Sequence, residues 1–248
     1  MNEPKYGIQL SIIVPVFNGG KNVETFLKDF RKISDTRIEL IIVDGGSSDQ
    51  TLVVLDNNKD IIKKIIEGPD EGLYDAMNKG VLESNGDYLL FMGIDDRLVV
   101  NNIPKILSEL DAKDLRLLVV PVLKESAMVI SPDTSGPLPI IHHQGAVFNR
   151  IALISTGFYR LDYLIHSDFD LIQKYIKENG YRYREVPLVV FTLGGLSTSG
   201  RSVIQSIKEL SLIYCHHSKK IVTIQLLTLI ARPIYYFAAH RIRELFRL

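Results

Sequence analysis

Acidic side chains follow two of the apolar segments of this chain, where they could bind a cation. Asp44 follows the segment IELIIV, and the pair Asp95-Asp96 follows YLLFMG. Neighbouring carboxylates on a short loop suit Mg²⁺ or Mn²⁺, whose coordination phosphate oxygens and water can complete. An Asp pair after a strand is equally typical of a turn or a helix cap. By itself, the pair leaves both interpretations open.

A further acidic residue, Asp168 in the segment HSDFDLIQKY, is the candidate for a proton acceptor. General base catalysis uses a carboxylate or a histidine held close to the proton that it removes. The alternative is structural: Ser167 has the side chain of an N-cap, and Asp168 and Asp170 would interact favourably with the helix dipole. The residue types alone do not decide between the two.

Two adjacent histidines, His142 and His143, precede Gln144 and could contact an acceptor, a phosphate or a metal. Neighbouring residues of a strand point to opposite faces, so we expect at most one imidazole to face a site. The glycine-rich segment 194–200 is a phosphate-binding loop, a lid or a plain loop, and it lacks the lysine and the spacing of a P-loop. The segment DGGSSD lacks the three spaced glycines of a dinucleotide-binding turn, which argues against NAD.

The elements that must position these residues alternate between strand and helix in the first half of the chain. The pattern predicts strands at 9–17, 38–43, 61–66 and 88–92, and helices at 21–33, at about 48–57 with Ser48 as its cap, and at 73–83. Such alternation predicts a parallel sheet, because each parallel step needs a crossover and a helix is the usual one. Ligands of these sheets bind beyond the carboxyl ends of the strands, where we expect Asp44 and Asp95-Asp96 to converge.

The alternation weakens after residue 101. The pattern there predicts a helix ending near 110, strands at 115–120, 146–149 and 185–191, and a helix at 168–179. We interpret this half as an acceptor side built onto a nucleotide-binding half. The overall prediction is an α/β fold with a Rossmann-like, mainly parallel sheet, a main domain at 1–200 and a helical segment at 201–248.

Composition argues against several classes of protein. The 29 basic side chains balance the 29 acidic ones, so no net field would recruit nucleic acid. The single cysteine, Cys215, has no partner for an internal disulfide, and no Cys/His cluster suggests structural zinc. The first residues show no basic region followed by a long apolar run, so we predict no signal peptide and a cytoplasmic location.

The segment 221–239 is mostly apolar, but Gln225, Arg232 and Pro233 interrupt it and basic residues flank it. A membrane-spanning helix needs about 20 apolar residues, so this segment is borderline. Two alternatives stay open. The segment lies on the inner face of the plasma membrane, with its cations near anionic headgroups, or it packs on its own domain or on a second subunit of a homodimer.

In their order along the chain, these segments resemble the family 2 glycosyltransferases, specifically the small bacterial enzymes of exopolysaccharide and O-antigen assembly, such as the colanic acid type. The resemblance runs over about residues 10–200, through SIIVPVFN, IIVDGGSSDQT, GPDEGLYDAMNKG, GDYLLFMGIDD, HHQGAVFNR, HSDFDLIQKY and FTLGGLSTSG. It implies a GT-A fold and inverting transfer of a sugar by direct displacement. It also implies a nucleotide-sugar donor, with UDP-sugars favoured, and a divalent cation.

The resemblance implies roles for individual residues on the donor side. Pro15 and Phe17 would line the nucleobase pocket, and Asp44 would hydrogen-bond the base or the ribose. Asp96 would be the main metal ligand of a DxD-type site, with Asp95 as its helper near the ribose or sugar.

On the acceptor side, the resemblance implies that Asp168 is the catalytic base and that His143 and Gln144 lie near the sugar. A family segment close to the donor has no individual roles assigned and contains Asp70, Asp75, Asn78 and Lys79. The Gln-x-x-Arg-Trp signature of processive synthases is absent from a chain without tryptophan, which favours a single addition over polymerisation.

The acceptor suggested by the basic, apolar tail is a polyprenyl-diphosphate-linked saccharide. Two rival functions are a non-catalytic nucleotide-sugar-binding scaffold, which would need no base, and a sugar nucleotidyltransferase. The second uses paired carboxylates on a similar sheet, but its glycine- and lysine-rich N-terminal signature is missing from SIIVPVFNGG.

Overall fold

Strands and helices alternate through the first half of the chain, as predicted. The computed structural model describes residues 7–112, 114–124, 128–136, 138–192 and 200–218. The first-half elements are β1 (Leu10–Val16), α1 (Gly20–Phe30), β2 (Ile38–Asp44), α2 (Thr51–Asp56), β3 (Lys64–Glu67), α3 (Leu73–Glu83) and β4 (Tyr88–Phe91). The predicted and observed bounds of α3 coincide.

The second half has shorter strands and less regular connections. Its elements are β5 (Arg97–Leu98), α4 (Ile103–Leu110), β6 (Leu117–Val119), β7 (Val122–Lys124), β8 (Val129–Ile130), β9 (Ala146–Asn149), α5 (Arg150–Thr156), α6 (Ser167–Asn179), β10 (Arg182–Tyr183), β11 (Val189–Phe191) and α7 (Gly200–His217). A 3-10 turn at His143–Gly145 leads into β9.

The described strands form two sheets. The larger has seven strands in the order β10-β6-β9-β4-β1-β2-β3, and the smaller has four in the order β5-β11-β7-β8. In the larger sheet β1 pairs in parallel with both β2 and β4, while β9 runs antiparallel to β4 and β6. The prediction of a mainly parallel α/β sheet is confirmed, and the reversed strand β9 marks the change from the first half to the second.

The main sheet is covered on both faces. Alternate residues of β1 belong to different apolar clusters: Ile12 packs with α1 and α4, whereas Ile13 packs with α3, α5 and α6. Full burial of one such side chain stabilises the fold by about 1.5–3 kcal/mol. Because both faces are apolar, polar groups can collect only at the strand ends.

Several predicted boundaries differ from the observed ones: the strand predicted at 185–191 begins at Val189, and the helix predicted at 21–33 ends at Phe30. Two others have a local physical reason. Helix α2 begins at Thr51, not at a Ser48 cap, because Asp49 Oδ1 accepts the Thr51 backbone N–H at 2.9 Å while the Ser48 N–H is donated to Asn18 Oδ1. Strand β3 begins at Lys64 instead of residue 61, since the preceding residues form a turn in which the Ile61 N–H is donated to the carbonyl of Asn58.

Helix α7 follows the predicted domain boundary at 200 and packs against α6. The two helices share a third apolar cluster with nearby loops, formed by Leu138, Tyr163, Phe169, Leu210, Ile213 and Tyr214. Within the described ranges no helix is long and apolar enough to cross a membrane. The segment 221–239 lies outside the described residues, so its alternatives stay predictions, as does the domain division.

Candidate active site

Asp44 ends strand β2 with its carboxylate buried. It is 1% exposed, and in the sheet it is paired in register with Val16. Its Oδ2 accepts the backbone N–H groups of Gly46 at 3.0 Å and Ser47 at 2.8 Å. Its Oδ1 is also buried but has no hydrogen-bond partner among the described residues. A buried acceptor atom is rarely left unpaired in a native protein, so this oxygen is available to a ligand donor.

An exposed aromatic ring lies next to this strand end. Pro15 is buried within β1, while Phe17, two residues later, is 66% exposed. Asn18 follows with a φ of 50°, and it donates its N–H to Ser47 Oγ at 2.8 Å. The side-chain oxygen of Asn18 accepts the Ser48 N–H at 2.9 Å. These hydrogen bonds join the loop after β1 to the loop after β2, and the Phe17 ring remains exposed to solvent.

The loop before α3 approaches the Asp44 loop closely. A Cβ at Gly45 would lie 2.5 Å from Asp70 Oδ2, so the glycine leaves room for that carboxylate. Lys79 forms an ion pair with Asp75 at 2.9 Å and donates to the carbonyl of Pro69 at 3.0 Å. The residues singled out in this segment thus fix the shape of the loop beside Asp44.

Asp96 is held in place between β4 and β11. It is 2% exposed, with Oδ2 accepting the Gly93 N–H at 2.9 Å and Oδ1 accepting the Thr192 N–H at 3.2 Å. The Thr192 hydroxyl also donates to the carbonyl of Asp95 at 2.9 Å. Burial raises the pKa of Asp96 to about 6, assisted by the charge of Asp95 and opposed by hydrogen bonds from Gly93, Thr192 and Gln144.

The carboxylates of Asp95 and Asp96 both lie close to Gly93. A Cβ at Gly93 would lie 2.6 Å from Asp95 Oδ1 and 3.3 Å from Asp96 Oδ2, so both oxygens lie on the same side of the loop. Among the described residues, no three His, Cys, Asp or Glu side chains come together to hold a metal. Two carboxylates suit Mg²⁺ or Mn²⁺ only where phosphate oxygens and water supply the other ligands.

Asp168 lies in the first turn of helix α6 and is half-buried. Its Oδ1 accepts the Phe169 N–H at 2.8 Å and lies 3.1 Å from the Tyr74 hydroxyl, which is also 2.5 Å from the carbonyl of Ile165. Burial, together with the charge of Asp168, raises the pKa of Tyr74 well above its usual value, so this phenol stays protonated as a donor.

The predicted N-cap of α6 is wrong. Ser167 is the first helical residue, the N-cap is His166, and the Ser167 hydroxyl has no hydrogen-bond partner among the described residues. Backbone groups just before the helix are bound instead by the carboxylate of Glu209 from helix α7, at 2.8–3.0 Å. Glu209 thus fixes the chain that leads into the helix, while within the first turn the Phe169 N–H is accepted by Asp168 Oδ1.

His143 and His142 have different neighbours. The His143 Nε2 lies 2.6 Å from the Tyr159 hydroxyl. Burial lowers the pKa of His143, against the opposing charge of Asp168, which keeps the imidazole neutral at pH 7. The His142 ring instead lies 5.9 Å from the ring of Phe191. Strand alternation is not the reason, since β9 begins only at Ala146.

The structure therefore gathers the predicted residues into three groups along the carboxyl edge of the sheet. The first contains Pro15, Phe17, Asp44 and Asp70; the second contains Asp95, Asp96 and Gln144; the third contains His143 and Asp168. The turn at 142–145 connects the last two groups, because His143 belongs to the third group and the next residue, Gln144, belongs to the second.

Sequence reasoning missed Tyr74 and Thr192, which contact Asp168 and Asp96, and Tyr159, whose hydroxyl lies 2.6 Å from His143 Nε2. Tyr74 had a signal available, since it lies on α3 one turn before Asn78, and Asn78 itself exchanges hydrogen bonds with the backbone of Tyr159. The glycine-rich segment 194–200 falls almost wholly outside the described residues.

Comparison with solved structures identifies the fold as GT-A. S. aureus TarS 1-349, in complex with UDP-GlcNAc, has a TM-score of 0.69 at 16% identity, covering 92% of this chain and 72% of that one. The mannosyltransferase PcManGT from Pyrobaculum calidifontis, in complex with GDP-Man and Mn²⁺, has a TM-score of 0.64 at 16% identity, covering 95% and 71%.

Residues 11–150 match the model of glycosyl transferase family 2, and the chain belongs to this family. Among curated relatives, a PGL/p-HBAD biosynthesis glycosyltransferase of Mycobacterium bovis is 37% identical over 91 residues. That alignment covers 36% of this chain and 36% of the relative, so the chain matches little more than a third of that protein's length.

Proposed function

We propose that this protein transfers a single sugar from a nucleotide-sugar donor, a UDP-sugar, to a saccharide acceptor, with inversion at the anomeric carbon. The observation that carries the proposal is the buried, unpaired Oδ1 of Asp44 at the strand edge. An unpaired buried acceptor costs about 1–3 kcal/mol, which an N–H or O–H of a bound nucleotide would recover. Family membership and the GT-A fold support the same activity.

The nucleoside would bind in the first group of residues. Phe17 offers an exposed ring for an apolar contact with the base, beside the buried Pro15. Asp44 would accept a hydrogen bond from the base or the ribose. Nucleotide sugars of two kinds, UDP-GlcNAc and GDP-Man, are bound by the GT-A proteins described above, which supports a donor of this class.

Asp96, with Asp95 as its helper, would hold the divalent cation. When bound, the cation stabilises the negative charge of the departing diphosphate. A site with two carboxylates and no third protein ligand among the described residues is suited to a cation that arrives with the donor. Mn²⁺ in the complex of PcManGT supports this choice.

Asp168 would accept the proton of the attacking hydroxyl. As the acceptor oxygen bonds to the anomeric carbon, the bond from that carbon to the diphosphate breaks, and the hydroxyl proton passes to Asp168. A single displacement of this kind inverts the configuration. The Phe169 N–H and the Tyr74 hydroxyl, both within hydrogen-bonding distance of Asp168 Oδ1, would orient this carboxylate. His143 and Gln144 would contact the sugar.

The cellular role proposed is bacterial cell-surface polysaccharide synthesis on a polyprenyl-diphosphate-linked acceptor. The apolar, basic segment 221–248 supports a location in the cytoplasm at the inner membrane face. Homodimerisation through the same segment remains the alternative proposal.

Thermal unfolding provides the first test. We expect UDP with MnCl₂ to raise Tm more than GDP or dTDP with MnCl₂, and each nucleotide to lose most of its effect in EDTA. A ligand at 100 times its Kd stabilises by about 2.7 kcal/mol. Absence of any nucleotide-dependent shift would refute the proposal.

Release of nucleoside diphosphate from nucleotide sugars separates the rival functions. A transferase releases UDP or GDP from its donor, with water or a saccharide as acceptor. A scaffold would bind without release, and a nucleotidyltransferase would produce pyrophosphate from a nucleoside triphosphate and a sugar phosphate.

A further inference from the structure

Helix α7 contacts the segment that carries Asp168 on both sides of this residue. Before it, the carboxylate of Glu209 accepts the consecutive backbone N–H groups of residues 164–166 at 2.8, 3.0 and 2.9 Å. After it, Asp170 Oδ1 lies 2.8 Å from His217 Nε2. Asp168 therefore lies between two stretches that are fixed by the same distant helix.

The Glu209 carboxylate has donors on both of its oxygens. Oε1 accepts from Leu164 N and from Gln205 Nε2 at 2.6 Å, and Oε2 accepts from Ile165 N and His166 N. The residue is 1% exposed, so water cannot replace it. Loss of this carboxylate would leave three part-buried backbone N–H groups without their partner.

The peptide groups at Ile165 are held from two directions. Its N–H is donated to Glu209 on α7, and its carbonyl lies 2.5 Å from the hydroxyl of Tyr74 on α3. The same hydroxyl lies 3.1 Å from Asp168 Oδ1. A shift of Ile165 would therefore also change the hydrogen bond that orients the carboxylate of Asp168.

We propose that Glu209 is a positioning residue for Asp168, so that helix α7 forms part of the acceptor side of the active site. The inference rests on the proposed function, in which Asp168 accepts the acceptor proton. Glu209 itself contacts neither Asp168 nor the donor-side groups; it acts only through residues 164–166. The helix lies beyond the segment 11–150 that matches the family.

Glu209→Gln tests the proposal, because it preserves size while replacing one accepting oxygen with a donor. The matched control is Glu39→Gln, since Glu39 is also a buried carboxylate, 3% exposed, and accepts from Ser11 Oγ and Asn85 N at 2.6 Å each. Glu39 lies near the opposite end of β2 from Asp44. Both variants lose a buried carboxylate, but only Glu209 adjoins the segment that carries Asp168.

The assay is UDP or GDP release with MnCl₂ from whichever of UDP-glucose, UDP-GlcNAc and GDP-mannose the wild type cleaves. We expect Glu209→Gln to lower kcat about 100-fold, the loss typical of a misplaced catalytic group, without changing the donor KM or the Tm shift given by UDP and MnCl₂. Glu39→Gln should keep the wild-type kcat. A wild-type kcat in Glu209→Gln, or an equal loss in Glu39→Gln, overturns the inference.

Hydrogen–deuterium exchange provides a second test, which does not require the protein to turn over a substrate. In Glu209→Gln, but not in Glu39→Gln, peptides covering 164–170 should exchange faster, and unchanged exchange there overturns the inference. If the wild type neither binds these nucleotides nor releases them, the proposed function fails, and exchange still decides whether Glu209 holds the segment.

Discussion

Asp44 is held by backbone groups close to it in sequence, whereas Asp168 and the segment before it also depend on side chains from distant helices. Asp44 accepts from residues two and three positions later. Asp96 is intermediate, because it accepts from Gly93, three positions earlier, and from Thr192, 96 positions later. Asp168 lies within hydrogen-bonding distance of Tyr74, 94 residues away, and the segment before it is bound by Glu209.

The difference separates the two proposed functions of the site by the range of their contacts. The Asp44 loop on the proposed nucleotide side is built from a strand end and the turn that follows it, so its geometry is largely complete once the parallel sheet has formed. The acceptor side requires helices α3, α6 and α7 to meet. Substitutions at a distance should therefore disturb proton transfer while leaving nucleotide binding intact.

The largest effect should come from Asp168→Asn, which removes the proposed base. We expect transfer to fall about 10³-fold, within the range attributed to general base catalysis. The Tm shift given by UDP and MnCl₂ should remain, because Asp168 is not among the proposed donor contacts. Product release and thermal unfolding measure the two quantities, and turnover at the wild-type rate would exclude Asp168 as the base.

Asp96→Asn should affect cation and nucleotide binding on the proposed donor side. Replacing a charged ligand with a neutral one should weaken Mn²⁺-dependent UDP binding about 100-fold. Losses up to this size follow the replacement of residues that only hydrogen-bond to a metal ligand. Titration calorimetry with UDP, with and without MnCl₂, measures this. Equal UDP affinity for both proteins in the presence of Mn²⁺ would contradict the ligand assignment.

Tyr74→Phe should lower kcat about tenfold, the value of one hydrogen bond to a charged group. The expected change is confined to kcat, because the Tyr74 hydroxyl contacts Ile165 and Asp168 on the acceptor side. Tyr88→Phe is the matched control, since that buried hydroxyl donates to the carbonyl of Leu115 away from the site. A similar kcat loss in both variants would point to general destabilisation.

The smallest effect is expected for Gly93→Ala. The new Cβ would lie 2.6 Å from Asp95 Oδ1, so this carboxylate must turn away, which the end of a side chain can do without unfolding. Mn²⁺-dependent UDP binding should weaken by less than about tenfold, because Asp96 remains as the main ligand. An unchanged Mn²⁺ dependence in calorimetry would show that Asp95 does not assist the cation.

Sequence periodicity predicts the order of elements in the first half because β1, β2 and β4 are buried on both faces. Strand β3 at the edge of the sheet is only partly buried, and the prediction of its start is wrong. Helix α3 was predicted with its observed bounds, and Asp44 and Asp96 lie at the predicted strand edge. Periodicity carries no information about which distant side chain will satisfy a helix end. Consequently the sequence pattern predicts a Ser167 cap that the structure lacks, and it indicates neither the Glu209 contact before the helix nor the role of Tyr74.

The histidine pair shows a second limit. The prediction that at most one of His142 and His143 faces a site rests on alternation along a strand. Residues 143–145 instead form a 3-10 turn, whose geometry depends on the contacts of His143 with Phe91 and Tyr159. The roles of these residues and of Gln144 stay predictions, because their positions depend on packing between the two halves.

The turn at 142–145 places His143 beside the Asp168 group and Gln144 beside Asp96 on consecutive residues. Under the proposed function, one short piece of backbone would therefore contact both the departing and the attacking end of a substrate. Engineering a new sugar specificity should accordingly leave this turn untouched, since any adjustment made for one end would misalign the other.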